Sequence, residues 1–341
     1  MQIRRALASA PVAAPHPDPD ALAAVASRAI GAEVTIEAIR RLSGGASRET
    51  WAFDACTPAG GRHGLVLRRD PSRHAGASDR STEYRLLAAA GAAGVPVPRV
   101  RALLEPADGL GSGFLMDRVE GETIPRRILR DDAFAAARPV LARQCGAIAA
   151  AIHAVPAGSL PPLPVQDAAG QVAQYRALLD GFGEPHPAFE LGLRWLADHA
   201  PPPPERPALV HGDFRNGNLV VGPDGVRAVL DWELAHLGDP VEDLGWLCVR
   251  SWRFGNTARV VGGFGDLDDL LDAYAAAGGG AVDAEHVRYW VALGTLKWGV
   301  ICIAQAFTHL SGTVRSVELA TLGRRVAETE WDLLDVLDGG W

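Results

Sequence analysis

Lysine is all but missing from this sequence. Lys297 stands alone, and the rest of the 33 Lys and Arg residues are arginines. A Walker-type phosphate loop needs Gly-Lys-Ser/Thr, and Lys297 is followed by Trp298, so that loop is excluded. The dinucleotide fingerprint G-x-G-x-x-G is absent, as are H-E-x-x-H and G-x-S-x-G, the marks of zinc proteases and serine hydrolases. Cysteine is scarce. Cys56, Cys145, Cys248 and Cys302 are far apart and form no C-x-x-C pair, which argues against structural zinc and a disulfide scaffold and fits a reducing, cytoplasmic setting. No run is both long and apolar enough to read as a membrane span. Val291–Phe307 comes nearest, but it holds Lys297, Gln305 and two glycines and reads as a buried helix. Met1–Ala14 carries two arginines and a short Ala-rich run broken by Pro11, too weak for a signal peptide; residues 1–20 read as a flexible tail. Excess positive charge is lacking too. A net charge of −8 and a pI of about 5.7 argue against a nucleic-acid partner.

What is present is the make-up of a soluble globular protein, with 48% hydrophobic and 22% charged residues. A chain of 341 residues exceeds one ordinary core, so two lobes are expected. The first third reads as strands. Val34–Leu42 and Glu49–Ala55 flank Ser43-Gly44-Gly45-Ala46-Ser47-Arg48, and Leu65–Arg68 follows a turn-rich stretch. A helix is predicted over Asp79–Ala90, ended by Gly91, then two strands over Val100–Glu105 and Phe114–Val119. From Asp131 the pattern turns helical. Val140–His153 is an Ala-rich helix stopped by Pro156, with a separate short helix over Asp132–Arg138. The Pro-rich runs Leu160–Pro164 and Pro201–Pro204 read as loops. Short strands return at Asn218–Val221 and Val226–Leu230, on either side of the hairpin turn Gly222-Pro223-Asp224-Gly225. After Pro240 helix prevails.

The informative stretch is Leu209-Val210-His211-Gly212-Asp213-Phe214-Arg215-Asn216-Gly217-Asn218-Leu219-Val220. Four residues separate Asp213 from Asn218, the hairpin follows, and Asp231-Trp232-Glu233 comes next. This is the layout of a kinase catalytic loop followed by its metal-binding aspartate. Phosphoryl transfer to a hydroxyl needs a carboxylate to accept or orient the hydroxyl proton, the role read for Asp213. It also needs hard oxygen ligands for magnesium, and Asn218 and Asp231 supply them. Glu233 is either a further metal ligand or an ordinary polar residue. His211 is read as bonding backbone around the loop, and Asp239 and Asp243 as holding the loop and capping the next helix.

The run His211-Gly212-Asp213, with Asn218 and Asp231-Trp232-Glu233, resembles the aminoglycoside phosphotransferase and choline kinase superfamily, in which His-Gly-Asp stands where protein kinases have His-Arg-Asp. The longer run from Asp231 through Asp239-Pro240 to Asp243-Leu244-Gly245-Trp246 resembles a branch of phosphotransferase domains fused to, or found beside, acyl-CoA dehydrogenases. The resemblance covers residues 25–335 and is tight around the two motifs. It implies an α+β, bilobal, protein-kinase-like fold. Residues 21–119 would form a nucleotide-binding N-lobe with an antiparallel sheet and one main helix, and residues 120–341 a mostly helical C-lobe. It implies ATP or GTP with Mg2+, and a small hydroxyl compound as acceptor. Gly44, Gly45 and Ser47 fall where the family has its nucleotide loop, with backbone N–H groups and a hydroxyl to meet phosphates. Where a protein kinase carries a lysine on its third strand, this chain has Arg68, with Arg69 as the other candidate, to pair with Glu83 on the following helix. Met116 and Arg118 lie at the expected hinge, where backbone groups meet the adenine edge.

Arg250, Arg253, Lys297 and Trp298 are the candidates for binding the acceptor. Lys297 lies on an otherwise uncharged helical stretch, on one face with Trp290, Gly294 and Ile301, and reads either as a snorkelling lysine at the rim or as an anion anchor. The Trp and Arg residues after Asp231 point to an acceptor with apolar and anionic parts, such as a hydroxy acid or hydroxyacyl compound. An aminoglycoside or other antibiotic is the alternative. A reading of another class is a nucleotide-binding regulator without catalysis, against which the intact Asp213, Asn218 and Asp231 count. Neither nucleic acid nor a membrane is expected as a partner, and the sequence carries no signal for oligomeric state.

Overall fold

The computed structural model describes residues 16–42, 49–70 and 80–341. They fall into two units. The N-terminal unit takes in the described residues as far as Ala92, with Val97–Glu120 and Leu160–Pro162. Ala93–Pro96, Gly121–Ser159 and Leu163–Trp341 make the C-terminal unit.

The N-terminal unit begins with helix α1 (Pro19–Ile30), in a stretch whose first residues the sequence reading gave to the tail. Its signals are local. The Asp18 side chain accepts the Asp20 N–H at 2.9 Å, Pro19 sits in the first turn where its missing N–H costs nothing, and Gly31 closes the helix at φ 82°. Then come β1 (Thr35–Arg41), β2 (Glu49–Cys56), β3 (Arg62–Asp70), α2 (Arg80–Ala92), β4 (Val100–Leu103) and β5 (Ser112–Asp117). The strands form an antiparallel sheet in the order β1-β2-β3-β5-β4. Paired residues share a face. Trp51, Leu67 and Leu115 line one face with Phe53 and Leu65, covered by Leu22, Val25 and Ala26 of α1. Thr50, Arg68 and Phe114 line the other, where Tyr84 of α2 meets the Phe114 ring edge-on at 5.9 Å.

The C-terminal unit is mostly helical, as the sequence predicts. Helices α3 (Pro125–Arg130), α4 (Arg138–His153), α5 (Ala168–Phe182) and α6 (Pro187–Asp198) precede four short strands, β6 (Ala208–Val210), β7 (Leu219–Gly222), β8 (Gly225–Val229) and β9 (His236–Gly238). Helices α7 (Val241–Cys248), α8 (Leu267–Tyr274), α9 (Ala284–Leu310), α10 (Val317–Leu322) and α11 (Arg325–Leu337) complete it. Among the described residues α9 alone has the length and apolarity of a membrane span, and 61% of that window is buried inside the protein. It is a core helix. Two glycines let α7 and α9 pack closely: a Cβ at Gly245 would meet the Trp290 Cβ at 2.4 Å, and one at Gly294 would meet the Trp246 ring at 2.9 Å.

Candidate active site

The His-Gly-Asp run lies in the loop between β6 and β7, and sheet pairing ties both ends of it. β6 pairs with β9, Leu209 opposite Leu237, a strand between the two stretches the sequence assigns. β7 pairs with β8, Leu219 opposite Val229. Gly212 has φ 78°, and a Cβ there would come within 2.4 Å of the Leu234 carbonyl oxygen, so the position requires glycine twice over. The turn presents Asp213, whose side chain is 15% exposed. Its Oδ1 accepts the Trp246 indole N–H at 2.7 Å and the Arg215 Nε–H at 2.9 Å, and its Oδ2 accepts the Asn218 amide N–H at 2.6 Å.

That amide nitrogen also donates to the Asp213 carbonyl at 2.9 Å, which leaves the Asn218 Oδ1 as the ligand atom of this side chain. The Leu230 N–H donates to the Asn218 carbonyl at 2.8 Å, extending the β7–β8 ladder and setting Asp231 one residue beyond the partner of Asn218. Asp231 has φ 69°, a left-handed backbone that aspartate tolerates better than most side chains. Glu233 follows on the short turn Trp232–Leu234, anchored by the buried Trp232. One amide oxygen and one carboxylate suit magnesium, which keeps most of its ligands as water or phosphate oxygens. Among the described residues no group of three or more His, Cys, Asp or Glu could cage a metal without such outside ligands.

Asp243, fully buried on α7, holds the loop from behind. Its Oδ2 accepts the His211 N–H at 2.8 Å, its Oδ1 the Gly212 N–H at 3.0 Å, and His153 Nε2 lies 3.1 Å from Oδ2. Burial would raise the Asp243 pKa, but the hydrogen bond and charge of His153, with His211, outweigh it and hold it below the ordinary value. His211 donates from Nε2 to the Leu230 carbonyl at 3.0 Å and accepts the Asp213 N–H at Nδ1, 3.2 Å. This is a neutral tautomer, in keeping with burial, which pushes its pKa down.

A second buried group joins Lys297, a candidate from the sequence, to Glu242 and His236, which carry no motif signal. Lys297 donates to the Gly212 carbonyl at 3.0 Å, lies 3.7 Å from Glu242 Oε1, and sits 4.5 Å above the Trp246 ring. Burial opposes its charge, yet Tyr175, Glu242, Asp213 and Asp243 leave its pKa raised. Glu242 Oε2 accepts from Gln171 at 2.6 Å and from His236 Nε2 at 3.0 Å, and His236 Nδ1 faces the Leu234 carbonyl at 3.0 Å. An acceptor at each ring nitrogen calls for a doubly protonated imidazole. Burial pulls the His236 pKa down, and Glu242 outweighs burial and leaves it raised.

In the N-terminal unit, Arg68 and Arg69 project to opposite faces of the sheet. Arg68 Nε lies 2.9 Å from Glu83, whereas Arg69 Nε lies 3.0 Å from Glu49, so the pair expected with Glu83 is made by Arg68. Arg80, which the sequence reading passed over, also reaches Glu83 at 2.5 Å and holds Asp70 through bonds of 2.9 and 3.0 Å. Met116 pairs with Val66 on one side and Val100 on the other. The Arg118 N–H donates to Gly64 at 2.9 Å, and its side chain reaches Asp54 at 2.9 Å and Glu120 at 2.8 Å. Gly44, Gly45 and Ser47 lie outside the described residues.

The acceptor candidates separate. Arg250 bonds Asp332 at 3.3 Å, Asp335 at 2.5 Å and the Trp341 carbonyl at 2.9 Å. Arg253 bonds the Cys248, Thr257 and Trp341 carbonyls. These partners belong to α11, to the last residue Trp341, to the end of α7 and to the turn at Thr257. Trp298, by contrast, leads to the loop: it packs on Trp252 at 4.8 Å, Trp252 on Trp246 at 5.2 Å, and the Arg215 guanidinium lies 4.5 Å over the Trp252 ring.

An antiparallel-sheet unit, a mostly helical unit and this loop define a kinase-like phosphotransferase. Residues 38–279 match the phosphotransferase enzyme family, and the chain belongs to it. Mouse acyl-CoA dehydrogenase family member 10 is 33% identical over 60% of this chain, and chicken acyl-CoA dehydrogenase family member 11 is 27% identical over 86% of it. The chain spans only 20% and 40% of the lengths of those relatives. A protein of Ralstonia eutropha provisionally assigned as an aminoglycoside phosphotransferase superimposes with a TM-score of 0.74 at 23% identity, covering 96% of this chain and 100% of the other. A thermostable mutant of the aminoglycoside phosphotransferase APH(4)-Ia, solved with AMP-PNP and hygromycin B, gives a TM-score of 0.57 at 16% identity, over 94% and 98% of the two chains.

Proposed function

We propose that the protein is a small-molecule kinase that moves the terminal phosphoryl group of ATP to a hydroxyl. The observation that carries the reading is the arrangement on the loop: a carboxylate at Asp213, an amide turned so that its oxygen is the available ligand at Asn218, and Asp231 beside it across the hairpin. Asp213 would accept or orient the acceptor's hydroxyl proton. The acceptor oxygen forms its bond to the γ-phosphorus as the bond to the bridging β–γ oxygen breaks, and ADP leaves. Asn218 and Asp231 would hold Mg2+, which offsets triphosphate charge when bound. Arg68, held by Glu83, is assigned to phosphate oxygens, as are Gly44, Gly45 and Ser47; the segment at Met116 and Arg118 is assigned to the adenine.

The acceptor we favour has apolar and anionic parts, a hydroxy acid or hydroxyacyl compound. Arg215 and Trp246 bond Asp213, and Trp252 and Trp298 continue the row from Trp246, where a polycationic aminoglycoside would call for added carboxylates. A panel of hydroxy acids, hydroxyacyl thioesters and aminoglycosides with Mg–ATP tests both parts. Asp213→Ala is expected to lower turnover about 10²–10⁴-fold with nucleotide affinity nearly unchanged. Wild-type turnover in that variant would remove Asp213 as the base, and efficient use of aminoglycosides with none of hydroxy acids would reverse the acceptor assignment.

A further inference from the structure

We infer that Trp246 is a positioning residue: its indole N–H, driven by the Lys297 ammonium above the ring, holds the Asp213 carboxylate in its reactive orientation. The inference rests on the reading of Asp213 given above and adds a residue that the loop motif does not contain.

Three donors meet the Asp213 carboxylate. Arg215 and Asn218 belong to the same loop, within five residues, and move with it. Trp246 comes from 33 positions away, on α7, and its bond of 2.7 Å is the shorter of the two at Oδ1. The indole has one donor and no acceptor, so it can only stabilise the ionised or unprotonated oxygen it faces.

The ring has little freedom to leave. It is 3% exposed. Trp252 packs against it at 5.2 Å, and Gly294 leaves the space its six-membered ring occupies, since a Cβ there would sit 2.9 Å from Trp246 Cε3. Its helix is tied to the loop backbone by Asp243, three residues earlier, so donor and carboxylate are referenced to one rigid piece. A cation 4.5 Å from the ring centroid draws π-density toward itself and makes the N–H more positive. The Lys297 charge thus acts on Asp213 through the ring as well as through space, with no hydrogen bond to the carboxylate. Two side chains outside the loop, the sole lysine and a core tryptophan, become one device aimed at the base.

The test uses the full chain labelled with 15N at its indole nitrogens. The Trp246 signal, identified by its loss in Trp246→Phe, is expected downfield and protected from solvent exchange. It should move upfield in Asp213→Asn, and by less in Lys297→Met. A Trp246 signal unmoved by Asp213→Asn would overturn the inference whatever the enzyme's activity. The kinetic arm uses Mg–ATP with water as acceptor, so that no unidentified compound is needed. Trp246→Phe is expected to lower kcat about 10- to 100-fold while KM for ATP changes less than about twofold. A protein that is merely loosened would instead lose thermal stability and ATP affinity together, and that result, or an unchanged kcat, would refute positioning. Should the wild type release no phosphate and phosphorylate no acceptor, the functional reading fails while the indole signal still decides whether Trp246 holds Asp213.

Discussion

In the N-terminal unit the buried anchors are arginine–carboxylate pairs: Arg68 and Arg80 on Glu83, Arg80 on Asp70, Arg69 on Glu49. Around Asp213 the anchors are of another kind. Asp243 takes backbone N–H groups and a histidine, Glu242 takes His236 and Gln171, and the sole lysine bonds a backbone carbonyl. Guanidinium groups keep their charge at any working pH, so the first set holds side chains against one another irrespective of acidity. The second set holds main chain, and part of it depends on imidazole protonation. The contrast fits what each region must keep still: long side chains on a sheet in one, the trace of a loop in the other.

Breaking the loop anchor should have the largest effect. Asp243→Ala leaves the His211 and Gly212 N–H groups buried without partners, and is expected to destabilise the protein by roughly 3–5 kcal/mol and to abolish transfer. Asp243→Asn keeps the shape but puts an N–H against one of those donors, so it should rescue little. Denaturant unfolding measures both. A loss below about 1 kcal/mol would mean that the loop is held by its strands alone.

The arginines give a sharper comparison, because neighbours of one residue type point to opposite faces. Arg69→Ala leaves Glu49 buried without its guanidinium, and should cost roughly 3 kcal/mol of stability with KM for ATP nearly unchanged. Arg68→Ala should do the reverse, raising KM for ATP on the order of tenfold with a smaller loss of stability, since its side chain is 15% exposed. Equal effects from both would break the division of labour between the two faces. Arg80→Lys, which keeps charge but not the fork on Asp70, should fall between them, through a loosened Glu83.

These expectations trace back unevenly to the sequence. The loop was legible because its chemistry is compressed into a short segment: Asp213 and Asn218 lead directly into the hairpin that ends just before Asp231, and hairpin signals are local. The choice between Arg68 and Arg69 was not, because it depends on the register of β2 against β3, which a one-residue slip inverts. The start of α1 was written in Asp18 and Pro19 and was obscured by the low-complexity run before it. Arg250 and Arg253 look like anion binders when read beside the metal loop; Asp332 and Asp335, which bond Arg250, and the Trp341 carbonyl that both reach lie more than eighty residues on, beyond the reach of any motif. Lys297 reads from its apolar neighbours as either a rim lysine or an anion anchor, and the sequence does not choose, because the carbonyl and carboxylate that satisfy it come from distant Gly212 and Glu242.

The smallest expected effect tests the imidazole side of the contrast. His236 has a raised pKa because Glu242 outweighs burial, so the folded protein binds a proton there more tightly than the unfolded chain, whose value is near 6.5. By linkage, that contribution to stability is fully present below about pH 6.5 and is lost as pH rises through the folded value. His211 works in the opposite direction: its lowered pKa favours the unfolded chain as pH falls below 6.5. The two slopes oppose each other in the wild type, and His236→Gln should uncover the second. Wild type minus variant, measured as unfolding free energy, should therefore be greatest at mildly acid pH and shrink above neutrality. A difference independent of pH would mean that the Glu242 contact is made by a neutral ring, and would leave the two units less distinct in their chemistry than their hydrogen bonds imply.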